Sequence, residues 1–222
     1  MKRFFDILFS LLALILFLPL AIPAILILRF TGEREIFYIQ ERVGRYGKIF
    51  GLLKFATMLK NSPSLPGGDI TKANDPRVLP FGKFLRKTKL NEVPQLINIL
   101  KGDISIVGPR PLTPKTFAFY PDHVQAALRD VKPGLTGIGS IVFRDEEKIM
   151  SHSSGDHTDF YQDYISPYKG ELELWFKSHD SLSNYFLLVA ITAWVVLFPQ
   201  SRIVWKIFKD LPEPVKELKE LV

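Results

Sequence analysis

Hydrophobic positions are unevenly spread along this chain, and their spacing divides it into three regions. The first contains 22 consecutive uncharged positions, Ile7 to Leu28, enough to cross a bilayer as a helix. Pro19 and Pro23 interrupt this run; each removes an intrahelical hydrogen bond and favours a kink. Lys2 and Arg3 precede it, Arg29 and Arg34 follow it, and no small-residue cleavage site ends it. With both flanks basic, a helix that dips into the bilayer and returns to the same face fits the positive-inside preference better than a plain kinked span, which is the alternative.

In the middle region the spacing shortens. Phe37 to Val43 reads as a strand, Gly44 to Gly47 as a turn and Lys48 to Phe55 as a second strand, a hairpin. Asn61 to Asn74 is rich in Ser, Pro and Gly and reads as an exposed loop. Pro80 to Lys89 sets Phe81, Phe84 and Leu85 against Lys83, Arg86 and Lys87, a basic amphipathic helix suited to an anionic surface. Leu90, Val93, Leu96, Ile97 and Leu100 then recur at helical spacing, with Asn91 at the N-cap, Pro94 in the first turn and Gly102 closing the helix. Ile104 to Gly108 reads as a strand entering a loop that carries Arg110. Pro114 to Ala127 reads as a helix, Lys132 to Gly137 as a tight turn, and Gly139 to Phe143 as a strand leading to Arg144. In the last region, Ser181 to Ser201 is again free of charge over 21 residues. Ile203, Val204, Ile207 and Phe208 then oppose Arg202, Lys206 and Lys209, an interfacial pattern, and the final LPEPVKELKELV reads as peripheral.

Composition sharpens this picture in two respects. No cysteine is present, so disulfides, thiolate nucleophiles and thiolate metal sites are excluded. The net charge is +6 with a pI near 9.4, and the excess lies in the first half of the chain. That suits an anionic membrane surface or a nucleotide; no recognisable nucleic-acid motif accompanies it. The expected fold class is α/β (α+β), a small mixed globular domain with an N-terminal re-entrant membrane helix and interfacial amphipathic helices. The expected division is 1–34 re-entrant helix, 35–180 cytoplasmic catalytic domain and 181–222 membrane-associated helices.

The candidate chemistry sits between Lys83 and Pro111. A helix N-terminus offers unpaired N–H groups and the positive end of a dipole. Arg86, Lys87 and Lys89 lie just before it, and Arg110 returns after the strand with a bidentate fork suited to phosphate. Glu92 places one carboxylate among these cations, able to hold Mg²⁺ or move a proton. An N-capped core helix with a solvated basic side would give the same pattern. His152, Asp156, His157 and Asp159 match no standard metal spacing.

Asn91-Glu92-Val93-Pro94-Gln95-Leu96, Lys101-Gly102-Asp103-Ile104-Ser105 and Val107 to Pro111 together resemble the core of the bacterial sugar transferases, the small monotopic phosphoglycosyl transferases. QERVGRYGKIF and the KFATM segment around Lys54 are also similar to that family. The resemblance implies transfer of a sugar-1-phosphate from a UDP-sugar to polyprenyl (undecaprenyl) phosphate at the cytoplasmic face of the bacterial inner membrane, with Mg²⁺ as cofactor. It makes Asn91 and Glu92 the catalytic and metal-binding positions and Lys54, Arg86, Arg110 and Arg144 the substrate-binding cations. Partners would be the UDP-sugar, the lipid phosphate and the membrane, without nucleic acid; homo-oligomerisation is left open. Three departures stand out: Leu18-Pro19 replaces the family's Ser-Pro pair, Ala56 replaces an arginine, and Asn91 replaces the aspartate nucleophile. The last makes a catalytically inactive membrane scaffold, or a trapped variant of the same fold, the alternative.

Overall fold

The computed structural model describes residues 1–222 apart from 67, 69, 72, 73, 152–156 and 220. The chain runs from α1 (Lys2–Phe30) into an antiparallel hairpin, β1 (Phe37–Val43) and β2 (Ile49–Phe55). Next come α2 (Pro80–Lys87), a 3-10 turn (Leu90–Glu92), α3 (Gln95–Lys101) and β3 (Ser105–Val107). After these follow α4 (Pro114–Phe117), α5 (Asp122–Leu128), β4 (Gly134–Thr136) and α6 (Ile138–Val142). The last part holds α7 (Glu146–Ser151), α8 (His157–Phe160), α9 (Ser166–Ser178), α10 (Leu182–Leu197) and α11 (Ile203–Ile207). The result is the mixed helix-and-sheet class expected from the sequence, with two small two-stranded sheets among the described residues.

α1 continues as a helix through Pro19 and Pro23. Twenty-nine residues at 1.5 Å per residue make it about 44 Å long. It touches the same domain near both ends. At its start, Arg3 donates to the carbonyls of Ile99 and Leu100 at the C-terminal end of α3, where a cation is favoured. Asp6, 3% exposed, accepts from Ser105 Oγ, Ile106 N and Tyr185 OH, each at 2.9 Å. A buried carboxylate needs such donors to offset its lost hydration. Ala13 and Leu14 pack with Leu52, Leu96, Ile99 and Ile104. Near its end, Ala24 and Leu28 join Phe55 and Leu85. The opposite face stays bare: Leu11, Leu12, Ile15, Leu16, Leu18, Leu20, Ile22 and Leu26 are all exposed. α1 is therefore apolar all round but two-faced in its environment.

The structure corrects four local readings. Asn91 does not cap a helix. Lys89 adopts a left-handed conformation, Val93 N–H closes a tight turn onto Leu90 O, and α3 begins only after Pro94, which lacks an N–H and so suits a helix start. Pro114 to Ala127 is two helices, because Pro121 begins a new one instead of continuing the old. Gly139 to Phe143 falls mostly in α6, a helix and not a strand; the strand is β4, paired in parallel with β3. Backbone approach decides this: a Cβ on Gly134 would lie 2.1 Å from Gly108 N, so glycine is required where these chains meet. Ile138, Ile141 and Val142 are β-branched, yet they recur at helical spacing and all three are buried. Finally, the C-terminal segment is not peripheral: Val204, Phe208, Leu211 and Leu218 are buried in the largest apolar cluster. Trp175 Nε1 donates to Asp210 at 2.8 Å and Tyr168 OH to Pro212 O at 2.9 Å.

Candidate functional site

Five segments far apart in sequence bring their charges together. The 3-10 turn supplies Asn91 and Glu92, and the loop after β3 supplies Arg110. Arg110 Nη2 donates to Glu92 Oε1 at 2.9 Å. β2 supplies Lys54, whose Nζ lies 3.4 Å from Gln40 Oε1 on β1. Arg86 in the last turn of α2 pairs with Glu147 of α7. Arg144 lies between α6 and α7, and its charge bears on Lys89. Glu92 thus pairs with Arg110, the charge of Lys54 bears on Glu92, and that of Arg86 bears on Lys54.

The electrostatics of the cluster are lopsided. Burial alone would raise the Glu92 pKa, but Arg110, Lys54 and Lys89 outweigh it and hold the carboxyl at about 2. Burial pushes the Lys54 ammonium well below its ordinary range, and repulsion from Arg42 and Arg110 adds to that. Burial lowers Lys89 as well, while Arg110 is raised by Glu92. Glu92 is one carboxylate among several cations, and Glu146 and Glu147 are already engaged by Lys169 and Arg86. Positive charge concentrated in this way is reduced by an anion.

Two buried atoms at the site lack partners: the Asn91 Oδ1 acceptor and the Arg144 Nη1 donor. Such orphans cost free energy unless a ligand takes them up. Asn91 Oδ1 and the Glu92 carboxylate offer hard oxygens suited to Mg²⁺. Among the described residues no three His, Asp or Glu side chains converge. His152 and Asp156 lie outside the described residues. The left-handed backbone at Lys89, unusual for a residue with a side chain, turns the chain from α2 into the Leu90–Glu92 turn and sets Asn91 and Glu92 beside β2.

The site also has an apolar flank. Phe17, Leu20, Ala21 and Ala24 of α1, on either side of Pro19 and Pro23, face Phe55, Leu90 and Val93 across a narrow crevice. The two residues flanking the Asn91-Glu92 pair thus touch the helix that carries the bare apolar face. On another side, the Pro109–Leu112 loop forms one wall of a cavity of about 470 Å³, completed by Tyr46 of the hairpin turn and by Phe117, Tyr120 and Arg129.

Sequence reasoning missed Arg42, Lys169, Glu146, Glu147 and Glu173. Arg42 reads as a routine strand residue. Lys169 and Glu173 carry one available signal: a charged pair at i and i+4 between the apolar positions Tyr168, Leu172 and Phe176.

A family model described as bacterial sugar transferase matches residues 1–199. The undecaprenyl-phosphate galactose phosphotransferase of Salmonella typhimurium is 40% identical over 160 residues, 66% of this chain and 33% of that protein. The exopolysaccharide production protein ExoY of Sinorhizobium fredii is 35% identical over 178 residues, 73% of this chain and 77% of its own length. A putative undecaprenyl-phosphate N-acetylgalactosaminyl 1-phosphate transferase of Bacillus subtilis is 46% identical over 114 residues, 51% of this chain and 63% of the relative. The matched segment spans about a third of the Salmonella protein and about three quarters of ExoY.

Proposed function

Since this chain belongs to the bacterial sugar transferase family, we propose that it transfers a sugar-1-phosphate from a UDP-sugar to undecaprenyl phosphate, the first step in building a surface polysaccharide. The observation that carries this reading is the meeting of Glu92 and Arg110 among surplus cations, beside the unpartnered Asn91 Oδ1 and Arg144 Nη1. Lys54, Arg86, Arg110 and Arg144 hold the diphosphate, and their fixed charges meet negative charge as it shifts between oxygens. When bound, Mg²⁺ neutralises diphosphate charge, held by Asn91 Oδ1 and Glu92. Ionised Glu92 orients Arg110 through their shared hydrogen bond.

The nucleophile separates this chain from the family pattern. An amide oxygen is far weaker than a carboxylate, so Asn91 does not serve as a covalent nucleophile. The acceptor attacks directly instead: an oxygen of undecaprenyl phosphate forms a bond to the β-phosphorus of the UDP-sugar. The bond from that phosphorus to the α–β bridging oxygen breaks, and UMP leaves with the electron pair. No proton needs to move, because both phosphates are anionic at neutral pH.

The placement follows from α1. Both its ends touch one domain while its opposite face is bare and apolar, which supports a helix that enters and leaves the membrane on one side. Basic residues at each end support the cytoplasmic face of the inner membrane as that side. In this arrangement residues 1–34 anchor, 35–180 carry the chemistry, and from 181–222 the exposed Trp194, Val196, Leu197 and Phe198 rest against the bilayer. Asn91-Glu92, beside the proline-bearing stretch of α1, then meets lipid phosphate at headgroup height.

The substitution at residue 91 favours a second reading, a non-catalytic membrane scaffold on the same fold. UMP release from a panel of UDP-sugars with undecaprenyl phosphate and Mg²⁺ separates the two. The transferase reading expects release from the wild type, and faster release from Asn91→Asp because a carboxylate opens a two-step route. No release from either form across the panel would favour the scaffold.

A further inference from the structure

Arg86 holds a partner that the mechanism above does not use. Its guanidinium Nη2, in the last turn of α2, pairs with Glu147 Oε1 of α7. Among the described residues its other side-chain hydrogen bond goes to Met58 Sδ at 3.8 Å, a weak acceptor. Two tight turns join Arg86 to Glu92: Lys89 N donates to Arg86 O and Glu92 N to Lys89 O, each at 3.1 Å. The anion on this cation of the site is thus a glutamate from 61 positions further along the chain.

The two glutamates that open α7 differ. Glu146 pairs at 2.7 Å with Lys169, whose side chain is 6% exposed, and Ile149 and Met150 are buried in the largest apolar cluster. These contacts fix the helix without Glu147. The Glu147 side chain is 46% exposed, against 23% for Arg86. Its carboxylate therefore has water to turn into, and a half-exposed ion pair is weak once solvent and side-chain entropy are counted. A phosphate group brings more charge and a pair of oxygens that matches the guanidinium fork. Exchanging carboxylate for phosphate on Arg86 needs only rotation of the Glu147 side chain, while α7 stays in place.

We propose that Glu147 is a resident anion on Arg86, displaced by a phosphate group of the substrate, and that it sets how tightly that phosphate is held. The inference rests on the transferase reading, which supplies two sources of phosphate, the UDP-sugar and the lipid carrier. Without substrate, the carboxylate keeps the guanidinium oriented and offsets part of the surplus positive charge. Each binding event is weakened by the pair it breaks. The same exchange in reverse assists release, since Glu147 returns to Arg86 as phosphate leaves. An uncharged sugar cannot displace it, so the contact favours ligands that carry phosphate.

The test is calorimetric titration of the purified full chain in detergent with Mg²⁺. The probes are UDP-galactose, UDP-glucose, UDP-N-acetylgalactosamine and, separately, undecaprenyl phosphate. Glu147→Gln keeps the shape and removes the charge. It should bind at least one source of phosphate about threefold to fivefold more tightly than wild type. A gain with nucleotide sugars alone assigns the nucleotide diphosphate to Arg86; a gain with undecaprenyl phosphate alone assigns the lipid phosphate. Glu147→Asp separates displacement from repulsion at a distance. It keeps the charge but shortens the reach, so displacement expects a gain close to that of Glu147→Gln, whereas repulsion leaves wild-type affinity. Both variants should keep the wild-type thermal midpoint, because Glu146, Ile149 and Met150 hold α7. The proposal is overturned if Glu147→Gln binds every probe no more tightly than wild type, or if Glu147→Asp shows no gain. A wild type that binds none of the four probes would remove the transferase reading, and this inference with it.

Discussion

Two clusters of charge in this chain use the same side chains to opposite ends. Asp75 and Arg77 are each 4% exposed and pair with one another. Arg77 Nε and Nη2 take the Asp75 carboxylate at 2.9 and 2.6 Å, and the remaining donors reach the carbonyls of Ser62, Gly68 and Ile70 at 2.8 to 3.1 Å. This cluster ties the loop after β2 to the entry of α2, and charge and hydrogen bonding are both matched. Around Glu92 and Arg110, cations outnumber the carboxylate they share, and Asn91 Oδ1 and Arg144 Nη1 have no partner. A matched buried pair has nothing left to offer a ligand; a mismatched one is incomplete without it. The difference sets the second cluster, and not the first, apart as the candidate site.

The largest effect should come from breaking the matched cluster. Arg77→Met removes the countercharge of buried Asp75 and should cost about 3–5 kcal/mol, read by denaturant unfolding in detergent. An unchanged midpoint would mean that this pair is not buried in solution. Glu92→Gln should act on the chemistry as well, lowering UMP release at least about a hundredfold. Its pH signature has a definite sign. Glu92 is depressed from 4.5 to about 2, so the stability it lends is present above pH 4.5 and lost as pH falls towards 2. Glu92→Gln should therefore flatten acid unfolding across that window, and an acid limb as steep as that of wild type would mean the pair with Arg110 is weak.

Smaller effects sharpen the contrast. Arg144→Met removes an unsatisfied donor, so UDP-sugar affinity should fall about tenfold while the thermal midpoint holds or rises. A falling midpoint with unchanged affinity would place Arg144 in the structural class with Arg77. At the bottom of the scale, Lys60→Met breaks an exposed ion pair with Glu35 and should leave both midpoint and UMP release unchanged.

Much of this arrangement was legible in local pattern. Alternation from Phe37 to Phe55 with a Gly-Arg-Tyr-Gly turn permits little except a hairpin. A proline start followed by basic and aromatic residues at helical spacing produced α2. Glu92 and Arg110 are joined by one helix and one strand, short enough for motif spacing to bring them together. Other features were not legible, because the deciding partner lies far along the chain. Asp6 reads as one charge at the edge of an apolar run, yet it is held by Ser105 and Tyr185, 99 and 179 positions away. Residues 139–143 read as a strand because β-branched side chains favour one, but β4 occupies the place beside β3. Leu211 and Leu218 sit in a polar-looking tail and are buried because Tyr168 and Trp175 receive that segment.

Sequence alone determined the long apolar helix, the hairpin, the basic helix and the identity of the charges, since these follow from residue type and spacing over a few neighbours. Only the tertiary structure decided which of those charges would be matched. That outcome depends on the count of donors and acceptors within about 3 Å of a buried group, and those partners come from segments that no local period connects.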